Sequence, residues 1–424
     1  MSPAVKCLCL LAVVALFFVT EIIPLAITAT AAAIACGLLG FIPPKQVFSG
    51  LSNSTVVLFA GMFVVGASMF YTGLAQAIGN KVVGICGKGE NSLMFGLMVV
   101  GTVLSAVLSN TGTAACLLPV ALGICASAGI PASRQLMPLA FACGWGGIIT
   151  LVGTPPNIIA AGAMGAAGLE PFGFFEFAWI GVPISIAGML YMMFLGKYLL
   201  PNEQLDADQE IEQEVEASSS DPKKMAVSGA ILACVVLVMA ISPKGVTLEM
   251  AAITGALVCV LTGCLTEKQA YASIDWVTIF LFAGMMPVSS AMAKTGAGKM
   301  IADWTVGLMG TSPSPMVLTA VLFILSCTLT QFMSNTASAA LLCPIGIAIA
   351  QSLGADPKPV LVAIACAASC AFASPVGTPP NTLVLGPGGY KFMDYVKAGT
   401  GLIIVCFVVT LVVCPMMWPF FPGK

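Results

Sequence analysis

The chain has 424 residues, 59% of them hydrophobic and 8% charged, with a mean hydropathy of +1.03 and a net charge of −2. A soluble domain carries roughly 25% charged residues, so this chain lacks the polar surface to live in water and lipid is expected to be its main solvent. Arg134 is the single arginine, histidine is absent, and none of the sixteen cysteines forms a C-x-x-C pair, which closes the nucleic-acid class and implies neither a zinc site nor a disulfide framework.

Cysteines such as Cys36, Cys143, Cys259 and Cys366 lie in apolar runs and read as small packing residues. A bilayer-spanning helix needs about 20 mostly apolar residues. The first such run, near 5–21, has the hydropathy of a signal peptide but no small-x-small cleavage site. It passes through Thr20-Glu21-Ile22-Ile23-Pro24 into a second run near 23–42 and is expected to be retained as a span. Further spans are predicted near 55–77, 136–167 and 173–199, then near 225–242, 247–265, 276–293, 359–388 and 398–420. Two other apolar stretches, near 91–127 and 313–350, are interrupted at their centres by Ser109-Asn110-Thr111-Gly112-Thr113 and Ser334-Asn335-Thr336-Ala337-Ser338. Irregular backbone at membrane depth survives only where protein or a water-filled cavity satisfies it, so each stretch is expected to be a hairpin that enters and leaves by one face. Residues 201–224 carry eight of the eighteen acidic residues and read as a solvated linker.

The two sides of that linker repeat one another. Leu58-Phe59-Ala60-Gly61-Met62 recurs as Leu281-Phe282-Ala283-Gly284-Met285, and Thr72-Gly73 as Thr295-Gly296. Ser109-Asn110-Thr111 recurs as Ser334-Asn335-Thr336, and Gly153-Thr154-Pro155-Pro156-Asn157 as Gly377-Thr378-Pro379-Pro380-Asn381. The offsets are 223, 223, 225 and 224, one continuous register that marks an internal duplication. Each half then holds five spans and one hairpin; five is odd, so the second copy is expected to be inverted. The expectation is an all-α polytopic protein, with residues 1–200 as the first inverted repeat, 201–224 as the linker and 225–424 as the second repeat. Inverted repeats with broken helices meeting near the midplane are the signature of secondary transporters.

The duplicated motifs carry the chemistry. Proline removes an amide donor and excludes helix at the residue before it, while glycine permits a tight turn. A helix broken at such a point ends in free carbonyls and restarts with free amides. The amide end attracts anions and the carbonyl end suits small hard cations. Asn110 and Asn335 can donate and accept, and Ser109, Thr111, Ser334 and Thr336 add hydroxyls, so two related clusters match the two carboxylates of a dicarboxylate. No Lys or Arg falls in the middle of these segments. Neutralising a divalent anion therefore calls for co-bound cations, which points to sodium. Proton coupling has only Glu21 inside a membrane segment, and Glu21 reads as a structural cap or interfacial residue. One S-N-T alone would pass for a helix cap and one G-T-P-P-N for a kinked connection; four motifs in duplicate register point to a built site.

On these motifs, together with Thr20-Glu21-Ile22-Ile23-Pro24 and the late GYKFMDYVKAG stretch from Gly389 to Gly399, the chain resembles the divalent anion:sodium symporter family, carriers of succinate, citrate, sulfate and related anions. The resemblance covers nearly the whole chain. It implies that Asn110, Thr111, Asn335 and Thr336, with Thr154, Thr378 and Pro379 of the second motif pair, bind the substrate. It implies one sodium site at Ser105, Ser109, Asn110 and Gly153 and another at Thr330, Met333, Asn335 and Gly377. It also implies a homodimer and an elevator-type cycle, with ten spans where many family members have eleven; the compact length and short loops point to a multi-pass place in a bacterial inner membrane. The leading expectation is sodium-coupled symport of a C4-dicarboxylate such as succinate. Sodium-independent exchange, and sulfate or citrate as cargo, remain open within transport. An ion channel would repeat a filter motif around an oligomer axis, and an intramembrane enzyme would need an acid–base pair or metal cluster that the chain cannot assemble.

Overall fold

The computed structural model describes residues 1–86, 89–202, 221–309 and 314–421, and these are helical apart from turns and short 3-10 segments. The first half runs α1 (Pro3–Thr20), α2 (Leu25–Leu38), α3 (Ser54–Tyr71), α4 (Leu74–Cys86), α5 (Glu90–Ser105), α6 (Asn110–Ala128), α7 (Leu136–Gly146), α8 (Pro155–Ala166) and α9 (Ala178–Phe194). The second half runs α10 (Pro222–Ile241), α11 (Leu248–Leu261), α12 (Glu267–Ser273), α13 (Trp276–Thr295), α14 (Ala297–Met309), α15 (Pro315–Thr330), α16 (Asn335–Ser352), α17 (Lys358–Ala368), α18 (Pro379–Leu385) and α19 (Phe392–Met417). Six of them, α1, α3, α6, α10, α13 and α19, are long and apolar enough by themselves to cross a membrane. The central part of the acidic linker, 203–220, lies outside the described residues; its end opens α10, where the Asp221 carboxylate accepts from Lys223 N at 2.9 Å and Pro222 takes the first helical position.

Matching glycines set matching helix ends. The predicted span 55–77 divides at Thr72-Gly73, because Gly73 takes φ +77° and its counterpart Gly296 does the same after α13. The predicted spans 23–42 and 247–265 contain shorter helices than expected. Both α2 and α11 have 14 residues, about 21 Å at ~1.5 Å per residue, and left-handed Gly40 and Gly263 lie just beyond them. The helices α4 and α14 mix polar and apolar residues, so a search for apolar runs passes over them.

The helices sort into two groups. In one, α2 packs along α13 and α3 along α11, so each half supplies one member of both pairs. The repeated L-F-A-G-M segment is what allows this. A Cβ on Gly61 would stand 2.7 Å from the Ala252 carbonyl carbon, and one on Gly284 would stand 2.6 Å from that of Ala29. Both glycines let a helix lie directly on the backbone of its neighbour, a device common between membrane helices.

The other group holds the two hairpins, α5–α6 and α15–α16, the two broken segments, α7–α8 and α17–α18, and the closing helices α9 and α19. Here α5 packs on α7 and α15 on α17, while α8 lies against α16 and α18 against α6, so the halves interlock. Phe141 and Phe372 meet beneath the breaks with ring centroids 5.1 Å apart. Tyr390 ties the halves again, its hydroxyl donating to Ser133 O at 2.7 Å and accepting from Met137 N at 2.8 Å. Glu21 is exposed and caps α1 in a left-handed conformation, φ 48°, its amide donating to Phe17 O. The single arginine, Arg134, pairs with Glu90 at 2.8 Å, and Lys358, at the matching place in the second half, pairs with Glu176 at 3.2 Å. Both ion pairs sit beside the helices that lead into the breaks.

Candidate functional site

Each S-N-T motif begins the second helix of a hairpin. Ser109 is the N-cap of α6, its Oγ accepting from Gly112 N at 3.1 Å, and Ser334 caps α16 in the same way, accepting from Ala337 N at 3.1 Å. Serine is favoured there because its oxygen satisfies an otherwise unpaired amide. The asparagine and threonine that follow occupy the first helical turn, beside amides that have no partner within the helix. Each T-P-P-N motif restarts a broken helix, with proline in the position where a missing N–H costs nothing. Its asparagine closes the break: Asn157 Nδ2 donates to Thr150 O at 2.8 Å and Ile148 O at 3.1 Å, and Asn381 Nδ2 donates to Ala371 O at 2.8 Å and Ser374 O at 2.9 Å. From the late GYKFMDYVKAG stretch, the Tyr395 hydroxyl supports the second break by donating to Asn381 O at 2.8 Å.

Hairpin and break meet at the asparagine of S-N-T. With its amide nitrogen turned inward, the two N–H groups of Asn110 face three acceptors, Cys143 O and Gly153 O, both at 3.1 Å, and Ser105 Oγ at 2.6 Å. With its oxygen turned inward, the same positions bring together four oxygens, and the one Ser105 proton must serve both Asn110 Oδ1 at 2.6 Å and Cys143 O at 2.7 Å. The second half repeats this arrangement. In one orientation the two N–H groups of Asn335 face Thr330 Oγ1 at 2.7 Å, Ala368 O at 3.0 Å and Gly377 O at 3.1 Å. In the other, the Thr330 hydroxyl faces Asn335 Oδ1 at 2.7 Å and Ala368 O at 2.6 Å. A group of neutral hydroxyl, amide and carbonyl oxygens is a ligand set for a small hard cation. Glycine is required where the break approaches: a Cβ on Gly153 would lie 3.0 Å from Ala106 O, and one on Gly377 would lie 2.7 Å from Thr330 O.

Both asparagines also border one cavity of about 940 Å³ between the two helix groups. Its wall includes Ser109, Asn110, Thr111, Gly153 and Thr154 from the first half. From the second half it includes Ser334, Asn335, Thr336, Gly377, Thr378 and Pro379. Thr154 is buried, and its hydroxyl has no hydrogen-bond partner among the described residues, which leaves it available to a guest. Among the described residues the lining contains no Lys or Arg, and its single charged member is Asp275, which caps α13 by accepting from Thr278 N at 3.1 Å.

The structure therefore gathers all seven residues expected on the substrate side around one cavity. Of those expected at the cation sites, it brings Ser105, Asn110 and Gly153 together, and likewise Thr330, Asn335 and Gly377. Ser109 and Met333 contribute no atom to the hydrogen-bonded clusters: the Ser109 hydroxyl is engaged at its cap, and Met333 is buried in the turn with its amide on Leu329 O. Sequence reasoning missed the carbonyls of Cys143 and Ala368, since a backbone oxygen leaves no mark in the residue that carries it. The matching offset of 225 between these two residues was the one available signal.

The family model described as citrate transporter (CitMHS) matches residues 15–345 and again 239–422. The chain belongs to this transporter family. Its relatives include an uncharacterized transporter of Haemophilus influenzae, 32% identical over 97% of this chain and 91% of the relative. The sodium-dependent dicarboxylate transporter SdcS of Staphylococcus saprophyticus is 25% identical over 96% of this chain and 84% of its own length. These relatives bear out the resemblance to the divalent anion:sodium symporters, and family and relatives alike are transporters, not enzymes. Among solved structures, the YdaH transporter of Alcanivorax borkumensis superposes with a TM-score of 0.66 at 16% identity, covering 98% of both chains. MtrF of Neisseria gonorrhoeae superposes with a TM-score of 0.63 at 15% identity, covering 90% of this chain and 84% of its own, and shares the fold. A multi-pass membrane transporter is thus the common ground of sequence, fold and relatives.

Proposed function

We propose that this family member is a secondary active transporter coupling sodium to the uptake of small divalent anions, C4-dicarboxylates such as succinate first among them. The observation that carries the proposal is the pair of matched oxygen clusters around Asn110 and Asn335, both bordering one cavity whose wall, among the described residues, has no cationic side chain. On this reading Ser105, Asn110, Gly153 and Cys143 hold one sodium ion, and Thr330, Asn335, Gly377 and Ala368 hold the other. Ser109 and Met333 bound the same turns. Thr111, Thr154, Thr336, Thr378 and Pro379 face the anion. The relative SdcS, a sodium-dependent dicarboxylate transporter, supports both halves of the reading.

Coupling follows from the amide of each asparagine, which has one oxygen and one nitrogen to present. Without a cation, the nitrogen satisfies the surrounding oxygens and the amide oxygen is turned away from them, which disfavours an anion in the cavity. A cation recruits the amide oxygen and frees the NH₂ to donate to a carboxylate. Each ion thereby raises the affinity for the other, as linkage requires, and the cations supply the positive charge that the wall lacks.

The register of the duplication and the odd number of spans support two inverted repeats, with the hairpins re-entrant. The division of the helices into two groups with the cavity between them supports an elevator-type cycle, in which the hairpin group moves against the other. A homodimer in the inner membrane completes the proposal. The test is uptake of labelled succinate into proteoliposomes under an inward sodium gradient or with potassium in its place, with unlabelled dicarboxylate, citrate or sulfate as competitor. Sodium-dependent uptake blocked by a second dicarboxylate is the expected result. Uptake that ignores sodium but needs internal substrate would make the protein an exchanger, and a block by citrate or sulfate alone would move the cargo to that anion. A conductance that does not saturate and follows only the anion's own electrochemical gradient, whatever the sodium gradient, would mark a channel.

A further inference from the structure

The two oxygen clusters match atom for atom, yet the chain holds them in place by different means. In the first half the break reaches back to the hairpin: the buried Thr150 hydroxyl donates to Ala106 O and accepts from Gly153 N at 3.2 Å. The matching positions of the second half are Ser374 for Thr150 and Gln331 for Ala106, at offsets of 224 and 225. Ser374 stays local, its hydroxyl accepting from Val376 N at 3.2 Å. Here the hairpin reaches to the break instead. Gln331 Nε2 donates to Cys327 O at 2.9 Å on its own helix and to Cys370 O at 3.0 Å, and its Oε1 accepts from Ala373 N at 3.1 Å. Both amide donors and one acceptor are thus committed to backbone.

The stretch that Gln331 grips, from Cys370 to Ala373, lies between the two residues whose carbonyls face Asn335, Ala368 and Gly377. Gln331 itself follows Thr330, the hydroxyl of the same cluster. It does not line the cavity and is no partner of the Asn335 amide. We infer that Gln331 is a positioning residue for the cation site around Asn335, fixing the distance between the Thr330 hydroxyl and the two carbonyls. The inference rests on the sodium-coupled reading above. It makes the two cation sites unequal in stiffness although their ligands agree: a short hydroxyl sets one, a longer side chain with three backbone bonds sets the other.

The experiment uses the full chain in proteoliposomes. Initial rates of succinate uptake are measured against sodium concentration for the unaltered protein, for Gln331→Ala and for Gln331→Met, which keeps the length and loses the hydrogen bonds. The rise in Tm on adding sodium without substrate is read in parallel in detergent. The expected result is a rise of about tenfold in half-saturating sodium, the scale that losing one or two buried hydrogen bonds carries. The sodium-induced rise in Tm is smaller, while KM for succinate at saturating sodium stays within about twofold of the unaltered protein's. Folded variants with an unshifted sodium curve overturn the inference, as does a lower maximal rate alone. Failure of both variants to fold assigns Gln331 to folding alone and overturns it equally. Indifference of the unaltered protein to sodium would sink the sodium reading itself, a failure seen before any variant is compared.

Discussion

Adding a single methyl group at Gly377 tests the site most directly. The Cβ of Gly377→Ala would stand 2.7 Å from Thr330 O and 2.9 Å from Ala371 Cβ, where ordinary contact begins at 3.4 Å. Thr330 O is backbone, so no side chain can swing aside. The Gly377 segment must therefore withdraw by about 0.7 Å, from 3.4 − 2.7. Oxygen ligands sit about 2.3–2.6 Å from a hard cation such as calcium, so a displacement of that size removes the Gly377 carbonyl from its place. Overpacking costs about 1–3 kcal/mol, which at 1.4 kcal/mol per tenfold is a loss of about 5- to 150-fold in sodium affinity. Gly165→Ala is the control, because a Cβ there meets nothing within 4 Å. Half-saturating sodium for uptake and the sodium-induced rise in Tm are the readouts, and Gly153→Ala should reproduce the effect from the first half. A Gly377→Ala protein that behaves like Gly165→Ala would refute the assignment of the cluster as a cation site.

Asn110→Ala and Asn335→Ala should each lower succinate uptake at least about a hundredfold in protein that still folds. On the proposed roles each loses a cation ligand and an anion donor together, at ~1–3 kcal/mol for every buried group left unpaired; wild-type rates in either variant would remove the coupling scheme. Thr154→Val should raise KM for the anion about tenfold, the scale of a hydrogen bond to a charged group, with half-saturating sodium unmoved. A shift in the sodium curve instead would place Thr154 on the cation side. Glu21→Gln should change stability by less than ~0.5 kcal/mol, as exposed substitutions do, and leave the coupling ratio intact. A change in how uptake responds to pH would make Glu21 a proton-linked residue.

Local chemistry explains why so much of the site was legible in advance. Proline, glycine and N-cap serine act on the backbone within a few residues, so 109–111 and 154–157 announce a helix start and a break wherever they fold. The duplication then shows that each signal is used twice. The ends of α3 and α13 follow from the same rule, since Gly73 and Gly296 both turn left-handed where the repeated T-G pair stands. The sequence also determined the solvent, because 8% charged residues cannot cover a chain of this length in water.

Contacts between distant segments lay beyond that reasoning. Nothing near Gly61 or Gly284 says that these glycines lie on Ala252 and Ala29 of the opposite half, because the requirement belongs to the partner's backbone. The helices α4 and α14 escaped because an amphipathic stripe lowers the mean apolarity that a search for spans detects. The carbonyls of Cys143 and Ala368 enter the two clusters although any residue would supply the same oxygen. Gln331 and Thr150 do corresponding work from opposite sides of the same junction, so comparing the halves position by position conceals it. Sequence fixes which residues can break a helix or offer an oxygen; tertiary structure decides which of those oxygens converge, because convergence depends on distances between segments that the chain order leaves free.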